Sequence, residues 1–279
     1  MAFPNRLFGI MGNQNLLAVP LFIFMGLILE KTKIAENLIK DMNTLFKETG
    51  SGLAISVVVV GALMAASTGI VGASVVTLGL LTYPVLVKNG YSPSIASGTI
   101  CASGTLGQII PPSLVLILLA DVLSSSYQQA QLSIGIFSPD SITIGDLFLG
   151  ALIPGIILPF LYIIYLKTLK IKTNSIKHTG SINIFSILYP LGLMLIVLGS
   201  IILGIATPSE AAALGGFGAI VLAYSQNNLT KRTFDECVYE SIKLTSMVFM
   251  ILIGATLFSL VFRGLEGEEF IHKFLIEMP

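Results

Sequence analysis

The chain has 279 residues, and its 15 basic and 15 acidic side chains give a net charge of zero. Hydrophobic residues make up 54% of it and charged residues only 11%, whereas a soluble globular domain has about 25% charged residues. This composition excludes an ordinary soluble enzyme, and a net charge of zero does not indicate a nucleic-acid partner. It indicates an all-α polytopic membrane protein, since uncharged runs such as 147–166, 184–203 and 244–262 are long enough to cross a bilayer.

Residues 1–50 begin with an apolar span at 16–29 and continue into a charged segment at 30–48. At helical spacing, the apolar residues of that segment fall on one face. We therefore expect a span followed by an amphipathic arm along the cytoplasmic membrane surface, and a soluble loop is the alternative. The face consists of Ile34, Leu38, Met42 and Leu45.

Basic residues set the orientation, because short loops rich in Lys and Arg stay in the cytoplasm. The loop 167–183 carries four lysines and is placed inside, whereas 121–144 carries none and is placed outside as a periplasmic loop. Of the 15 basic residues, only Arg6, Arg263 and Lys273 then lie outside, which leaves 12 inside.

The uncharged stretch from 49 to 87 must begin and end on the cytoplasmic side under this orientation. Its centre, ASTGIVGAS, is rich in Gly and small hydroxyl residues that favour a turn. The two arms would be about 24 and 21 Å long, less than the hydrocarbon thickness of about 30 Å. We therefore predict a re-entrant hairpin over 51–87 that turns at 67–72.

The next uncharged run contains CASGTLGQIIPPS. Pro111 lacks an N–H group and clashes with the preceding helical turn, and Pro112 biases Pro111 to an extended conformation. The sequence thus predicts a helix over 92–120 that breaks at 103–112 and resumes near Ser113. Non-helical backbone at membrane depth occurs where it is buried in protein or lines a polar cavity, although Gly, Ser and Thr in membrane helices are also common packing residues.

The remaining chain is predicted to contain a span at 145–166 and then, within 167–279, spans at 184–206, 208–225 and 242–262 followed by a periplasmic-side arm at 263–279. Within ATPSEAAALG, the pattern predicts Thr207 as a helix cap with Pro208 at the first position and Glu210 at the third. An ion-coupling carboxylate at Glu210 is the alternative.

Four segments carry a family resemblance: NLLAVPLFIFMGLILEKTKIAENL, GALMAASTGIVGASVVTLGLLTYPVL, GYSPSIASGTICASGTLGQIIPPS and GIATPSEAAALG. They resemble the large membrane subunit (DctM type) of the tripartite ATP-independent periplasmic (TRAP) transporters. The resemblance implies an elevator-type fold in which 1–50 and 167–279 supply scaffold and 51–166 supplies half of a transport domain.

The same resemblance implies a Na⁺-coupled symporter for organic anions, mostly carboxylates, in the bacterial inner membrane. Its partners would be a small DctQ-type membrane subunit and a periplasmic DctP-type binding protein. Two short stretches would hold the ions and the substrate. The implied Na⁺ ligands are Ser67, Thr68, Gly69, Gly72, Ser103, Gly104, Thr105 and Gly107, and the implied substrate contacts are Ser67, Thr68, Thr105, Gln108 and Ser113.

Span followed by amphipathic arm occurs twice with opposite orientation, at 16–48 and 244–279, which is typical of inverted repeats. The family has one or two helices before the first of these spans, and a second hairpin and broken helix after the second arm. We therefore expect this chain to be the first part of an inverted repeat, and a fragment that lacks the N-terminal helices and most of the second repeat. Since the spans contain no carboxylate or histidine arrangement for catalysis, we expect no enzyme. A channel or a structural subunit is the alternative to a transporter.

Overall fold

The computed structural model describes residues 2–32, 51–68, 71–169 and 184–276. The elements described there are helices joined by short turns. In chain order they are α1 (Ala2–Met11), α2 (Ala18–Lys31), α3 (Gly52–Thr68), α4 (Val71–Lys88), α5 (Pro93–Thr105), α6 (Leu114–Ser133), α7 (Ile144–Thr168), α8 (Ile184–Ile202), α9 (Pro208–Ser225), α10 (Lys231–Gly264) and α11 (Gly267–Ile276).

Three of the described helical segments are long and apolar enough to cross a membrane: Gln14–Lys31, Ile144–Thr168 and Lys231–Gly264. The first of these includes the 3₁₀ turn Gln14–Leu17 that leads into α2. Shorter apolar helices lie at Gly52–Met64, Ser74–Lys88 and Leu188–Ile202. The prediction of an all-helical protein with several apolar helices is confirmed.

Helix starts follow from local sequence. The Thr207 hydroxyl accepts a hydrogen bond from the Glu210 backbone N–H at 3.4 Å, and the Glu210 carboxylate accepts from the Thr207 N–H at 2.8 Å. This reciprocal capping box, with Pro208 at the first helical position, begins α9 as the sequence predicts. Thr143 and Asp146 form a second capping box at the start of α7.

One group of helices packs around α2. Helix α9 lies against α2 through Gly215, where a Cβ atom would sit 2.6 Å from the Met25 sulfur. Helix α10 contacts the same helix, and Ser241 Oγ lies 3.4 Å from the Pro20 carbonyl. Helix α8 packs on α9, so α2, α8, α9 and α10 form a single bundle.

A second group comprises α3, α4, α5, the turn after α5, α6 and α7, which contact one another in succession. Helices α3 and α4 form a hairpin, with Gly61 and Leu78 in contact across it. At 17 and 18 residues, the two arms are about 26 and 27 Å long. Helix α3 also packs on α2, which joins the two groups.

Two helices extend beyond the boundaries predicted for them. Residues 121–144 are not all periplasmic loop, because α6 continues to Ser133. The segment DVLSSSYQQAQLS contains helix formers and no Gly or Pro, and Gly135 with a positive φ of 87° follows its end. Likewise α10 begins at Lys231, well before the predicted span 242–262, because Thr230 caps it. The amphipathic arm predicted at 30–48 lies outside the described residues from 33 onward, and so does the loop from 170 to 183.

Candidate functional site

The helix predicted to break does break. Helix α5 ends at Thr105, a 3₁₀ turn covers Leu106–Gln108, and α6 begins at Leu114. The peptide bond between Pro111 and Pro112 is cis.

The two prolines explain which carbonyl groups lose their helical partners. In an α-helix, the carbonyl of residue i accepts from the N–H of residue i+4, so Pro111 has no N–H for Gly107 and Pro112 has none for Gln108. The Ser113 hydroxyl replaces the second donor, at 2.8 Å from the Gln108 carbonyl. The Gly107 carbonyl therefore remains an oxygen with no helical donor at a buried position.

Ser113 is fully buried and also starts the next helix. Its hydroxyl accepts a hydrogen bond from the Leu116 N–H at 3.4 Å while it donates to Gln108. The side chain therefore joins the two halves of the interrupted helix. Its predicted contact with substrate remains a prediction.

The hairpin packs directly on the end of α5. A Cβ atom on Gly61 of α3 would lie 2.5 Å from Ser103 Cβ, and one on Gly104 would lie 2.4 Å from Val75 Cγ2 and 3.1 Å from the Val75 backbone. Both arms of the hairpin therefore approach the residues just before the break. Glycine is required at these two positions because any side chain would separate the helices.

The hairpin tip lies near this contact. Gly72 is exposed and precedes Val75 by one helical turn, so it lies within about 10 Å of Gly104. Ser67 and Thr68 form the last turn of α3, and Gly69 lies outside the described residues. The structure thus places Gly72, at the start of α4, close to the stretch 103–107 from which the other Na⁺ ligands were predicted.

The hydroxyl groups before the break differ in surroundings. Ser103 is completely buried and donates to the Thr99 carbonyl at 2.6 Å. Thr105 is exposed and donates to the Ala102 carbonyl at 2.9 Å. Both oxygens keep lone pairs, since each hydroxyl uses only its proton in these bonds.

A cleft of about 490 Å³ lies between α3, α5 and α7. Along α5 it runs from Ser94 to Ala102, the residue before Ser103. Tyr162 and Tyr165 of α7 form the opposite wall. Sequence reasoning missed this cleft, because its walls come from three separate helices.

Sequence reasoning also missed Tyr91, which follows α4. It is buried, and its hydroxyl oxygen accepts a hydrogen bond from the Ala54 N–H in the first turn of α3 at 3.4 Å. Burial raises the pKa of Tyr91, and this hydrogen bond partly offsets the rise. The side chain thus closes the base of the hairpin.

Among the described residues, no group of three or more His, Cys, Asp or Glu side chains is placed to hold a metal ion. The site around the break instead offers carbonyl and hydroxyl oxygens. Such uncharged oxygens suit a hard cation rather than a transition metal.

Comparison with known proteins identifies the family. The profile of the tripartite ATP-independent periplasmic transporter, DctM component, matches residues 1–279. The chain belongs to the DctM family. This is a family of TRAP transporter large permeases, which is a transporter family and not an enzyme family, as the sequence predicts.

Three curated TRAP transporter permeases are 28–29% identical to the chain over the aligned residues. The C4-dicarboxylate TRAP transporter large permease protein DctM of Pseudomonas aeruginosa is 29% identical over 98% of this chain and 62% of its own length. The isethionate TRAP transporter permease protein DctMQ of Oleidesulfovibrio alaskensis is 28% identical over 87% of this chain and 37% of its own length. The ectoine/5-hydroxyectoine TRAP transporter large permease protein UehC of Ruegeria pomeroyi is 28% identical over 86% of this chain and 54% of its own length. The chain thus spans less than two thirds of the length of these relatives.

Proposed function

We propose that the chain is part of the large permease subunit of a Na⁺-coupled TRAP symporter that imports small organic anions. The observation that carries the proposal is the hairpin of α3 and α4 packed backbone to backbone on an interrupted helix, at Gly61–Ser103 and Gly104–Val75. Apposed polar turns of this kind are the recurrent site architecture of secondary transporters.

The Na⁺ ion would bind between the hairpin tip and the break. The Gly107 carbonyl and the Thr105 hydroxyl would supply oxygens from one side, and residues 67–72 from the other. Ser103 and Gly104 would hold the two backbones at this distance. Because these ligands are neutral, the bound cation would give the site a positive charge that attracts an anionic substrate.

The substrate would bind next to the cation. Gln108, Ser113 and the hydroxyl groups of Ser67, Thr68 and Thr105 are the proposed contacts for its anionic group. Relatives named for C4-dicarboxylates and isethionate support a small organic anion as substrate.

The two helix groups would move relative to each other, and this movement would carry the site across the membrane. The bundle of α2, α8, α9 and α10 would be the scaffold, and α3 to α7 would be part of a transport unit that slides along it. We propose that the hairpin is re-entrant from the cytoplasmic side and that the chain supplies the first part of an inverted repeat. The protein would act in the bacterial inner membrane with a DctQ-type subunit and a DctP-type binding protein, and the relative named DctMQ supports the first of these partners.

The experiment replaces the matching segment of the Pseudomonas aeruginosa relative, which is 62% of its length, with residues 1–279 of this chain. The chimaera is reconstituted in proteoliposomes with that relative's cognate small subunit and binding protein. We expect saturable C4-dicarboxylate uptake that requires both a Na⁺ gradient and the binding protein. Ion currents that need no binding protein would indicate a channel instead. A folded chimaera with neither uptake nor current would indicate a structural subunit.

A further inference from the structure

Two hydrogen bonds join α2 and the turn before it to the second helix group, one near each end of α2. At its C-terminal end, Thr77 Oγ1 of α4 donates to Glu30 Oε1 at 2.6 Å. Before its N-terminal end, Asn13 Nδ2 donates to Asp121 Oδ1 of α6 at 2.7 Å. Both contacts are partly buried, and each pairs a carboxylate with an uncharged donor.

The residue next to Glu30 makes a different kind of contact. Lys31 Nζ lies 3.0 Å from Glu240 Oε1 of α10, so this ion pair lies inside the scaffold bundle. Adjacent residues in the last turn of α2 thus face the two helix groups. The ion pair joins two helices of one group, and the two bonds to uncharged donors cross between the groups.

We propose that Glu30–Thr77 and Asn13–Asp121 form a two-point latch that holds the hairpin and the broken helix at one position along α2. The latch rests on the proposed sliding of the transport unit. A shift of a single helical turn, about 5.4 Å, would break both bonds together, because neither tolerates more than a few tenths of an ångström. Release is feasible since no oppositely charged groups need to be separated in a partly buried interface.

The second carboxylate oxygen of Glu30 supports this assignment. Glu30 Oε2 is buried and accepts no hydrogen bond from any residue the structure describes. The carboxylate is therefore held from one side only, by Thr77. Among the described residues only the Thr77 hydroxyl donates to this carboxylate. The bond therefore forms in one position of the transport unit and is lost when the unit moves.

The test asks whether the Glu30–Thr77 bond alone holds the other end of the interface in contact, in the full chain purified in lipid nanodiscs. The cysteine pair that reports this contact replaces the Asn13–Asp121 bond, so Glu30–Thr77 is the latch bond that remains. Asn13→Cys and Asp121→Cys are introduced with Cys101→Ser, while Cys237 stays as a buried thiol. The rate at which a short bifunctional thiol reagent links the two cysteines reports how much time that end spends in contact. Thr77→Val then removes the hydroxyl at the opposite end with little change of shape.

Thr82→Val is the matched control, because the buried Thr82 hydroxyl donates only within α4, to the Leu78 carbonyl at 2.6 Å. We expect Thr77→Val to slow cross-linking about tenfold or more, as the loss of one hydrogen bond to a carboxylate predicts, and Thr82→Val to leave it unchanged. Glu30→Leu breaks the same bond from the other side and should act like Thr77→Val, whereas Glu30→Gln keeps an acceptor oxygen and should preserve the rate.

Equal rates for Thr77→Val, Glu30→Leu and Thr82→Val would overturn the latch. The result does not depend on uptake by the chimaera. If Thr77→Val slows cross-linking but the chimaera takes up no substrate, the proposed transport function is contradicted and the latch is supported. If the chimaera takes up substrate but the cross-linking rates are equal, the latch is contradicted and the transport function is supported.

Discussion

Gly61 and Ser103 lie in contact although 42 positions separate them, and a Cβ atom on Gly61 would come within 2.5 Å of the Ser103 Cβ. Real Cβ atoms do not approach this closely, so the hairpin and α5 meet backbone to backbone. This contact places the Ser103 turn against the hairpin and determines where the interrupted backbone lies.

Gly61→Ala should therefore destabilise the protein by about 1–3 kcal/mol, the usual cost of overpacking. The measurement is the unfolding midpoint of the purified chain in detergent. Gly79→Ala on α4 is the control, since a Cβ there would lie 3.9 Å from Ile100, an ordinary contact. A Gly61→Ala protein as stable as the Gly79→Ala protein would show that the helices separate without cost.

Sodium should raise the thermal unfolding midpoint of the chain more than potassium does, because a cation bound only by the folded protein stabilises it. Thr105→Val should reduce this Na⁺-specific shift by removing one oxygen ligand. Ser97→Ala is the control, as Ser97 lies two turns earlier on α5 and donates to the Pro93 carbonyl at 2.8 Å. If the two variants respond equally to Na⁺, Thr105 is not a ligand.

Tyr91→Phe should loosen the base of the hairpin, because the Ala54 N–H loses its acceptor inside the protein. The expected loss of stability is about 1 kcal/mol. Hydrogen exchange should accelerate in the first turn of α3 and much less in the last turn of α4. Tyr83→Phe is the control on an exposed tyrosine, and equal exchange in both variants would contradict the role of Tyr91.

The two interpretations of Glu210 differ in their consequences. Thr207→Ala removes the cap of α9 and should lower stability by about 1 kcal/mol. Glu210→Gln should leave the Na⁺ response of the chain unchanged, because the carboxylate caps a helix and lies far along the chain from the break. Loss of the Na⁺-specific stabilisation in Glu210→Gln would restore the ion-coupling interpretation.

The predicted re-entrant hairpin requires both of its ends on the cytoplasmic side. Single cysteines at Thr49 and Lys88, each with Cys101→Ser, should react with a membrane-impermeant maleimide only in inside-out vesicles. If one position is labelled from the outside, the segment between Thr49 and Lys88 crosses the membrane once and is not a hairpin. The predicted orientation of every later span would then be reversed.

Local chemistry explains what sequence reasoning predicted correctly. The break before Ser113 follows from two prolines that lack N–H groups, and the start of α9 follows from Thr207, Pro208 and Glu210 within four consecutive positions. Such features depend only on residues that are neighbours in the chain, so they can be predicted without knowledge of the fold.

The helix boundaries at 121–133 and 231–241 could not be predicted with the same certainty. Both segments are polar, and polar residues with good helix propensity occur in loops as well as in helices. Their helices continue beyond the apolar spans because no Gly or Pro interrupts them before Gly135 or after Thr230.

The sequence by itself determined that the chain is helical, that it is built for a membrane and that one helix is interrupted at Pro111–Pro112. Only the tertiary structure decided that Gly61 meets Ser103, that Tyr91 caps α3 across 37 positions and that Thr77 meets Glu30 across 47. Composition and local backbone chemistry act through residues adjacent in the chain. These three contacts depend on the packing of whole helices, which no local pattern specifies.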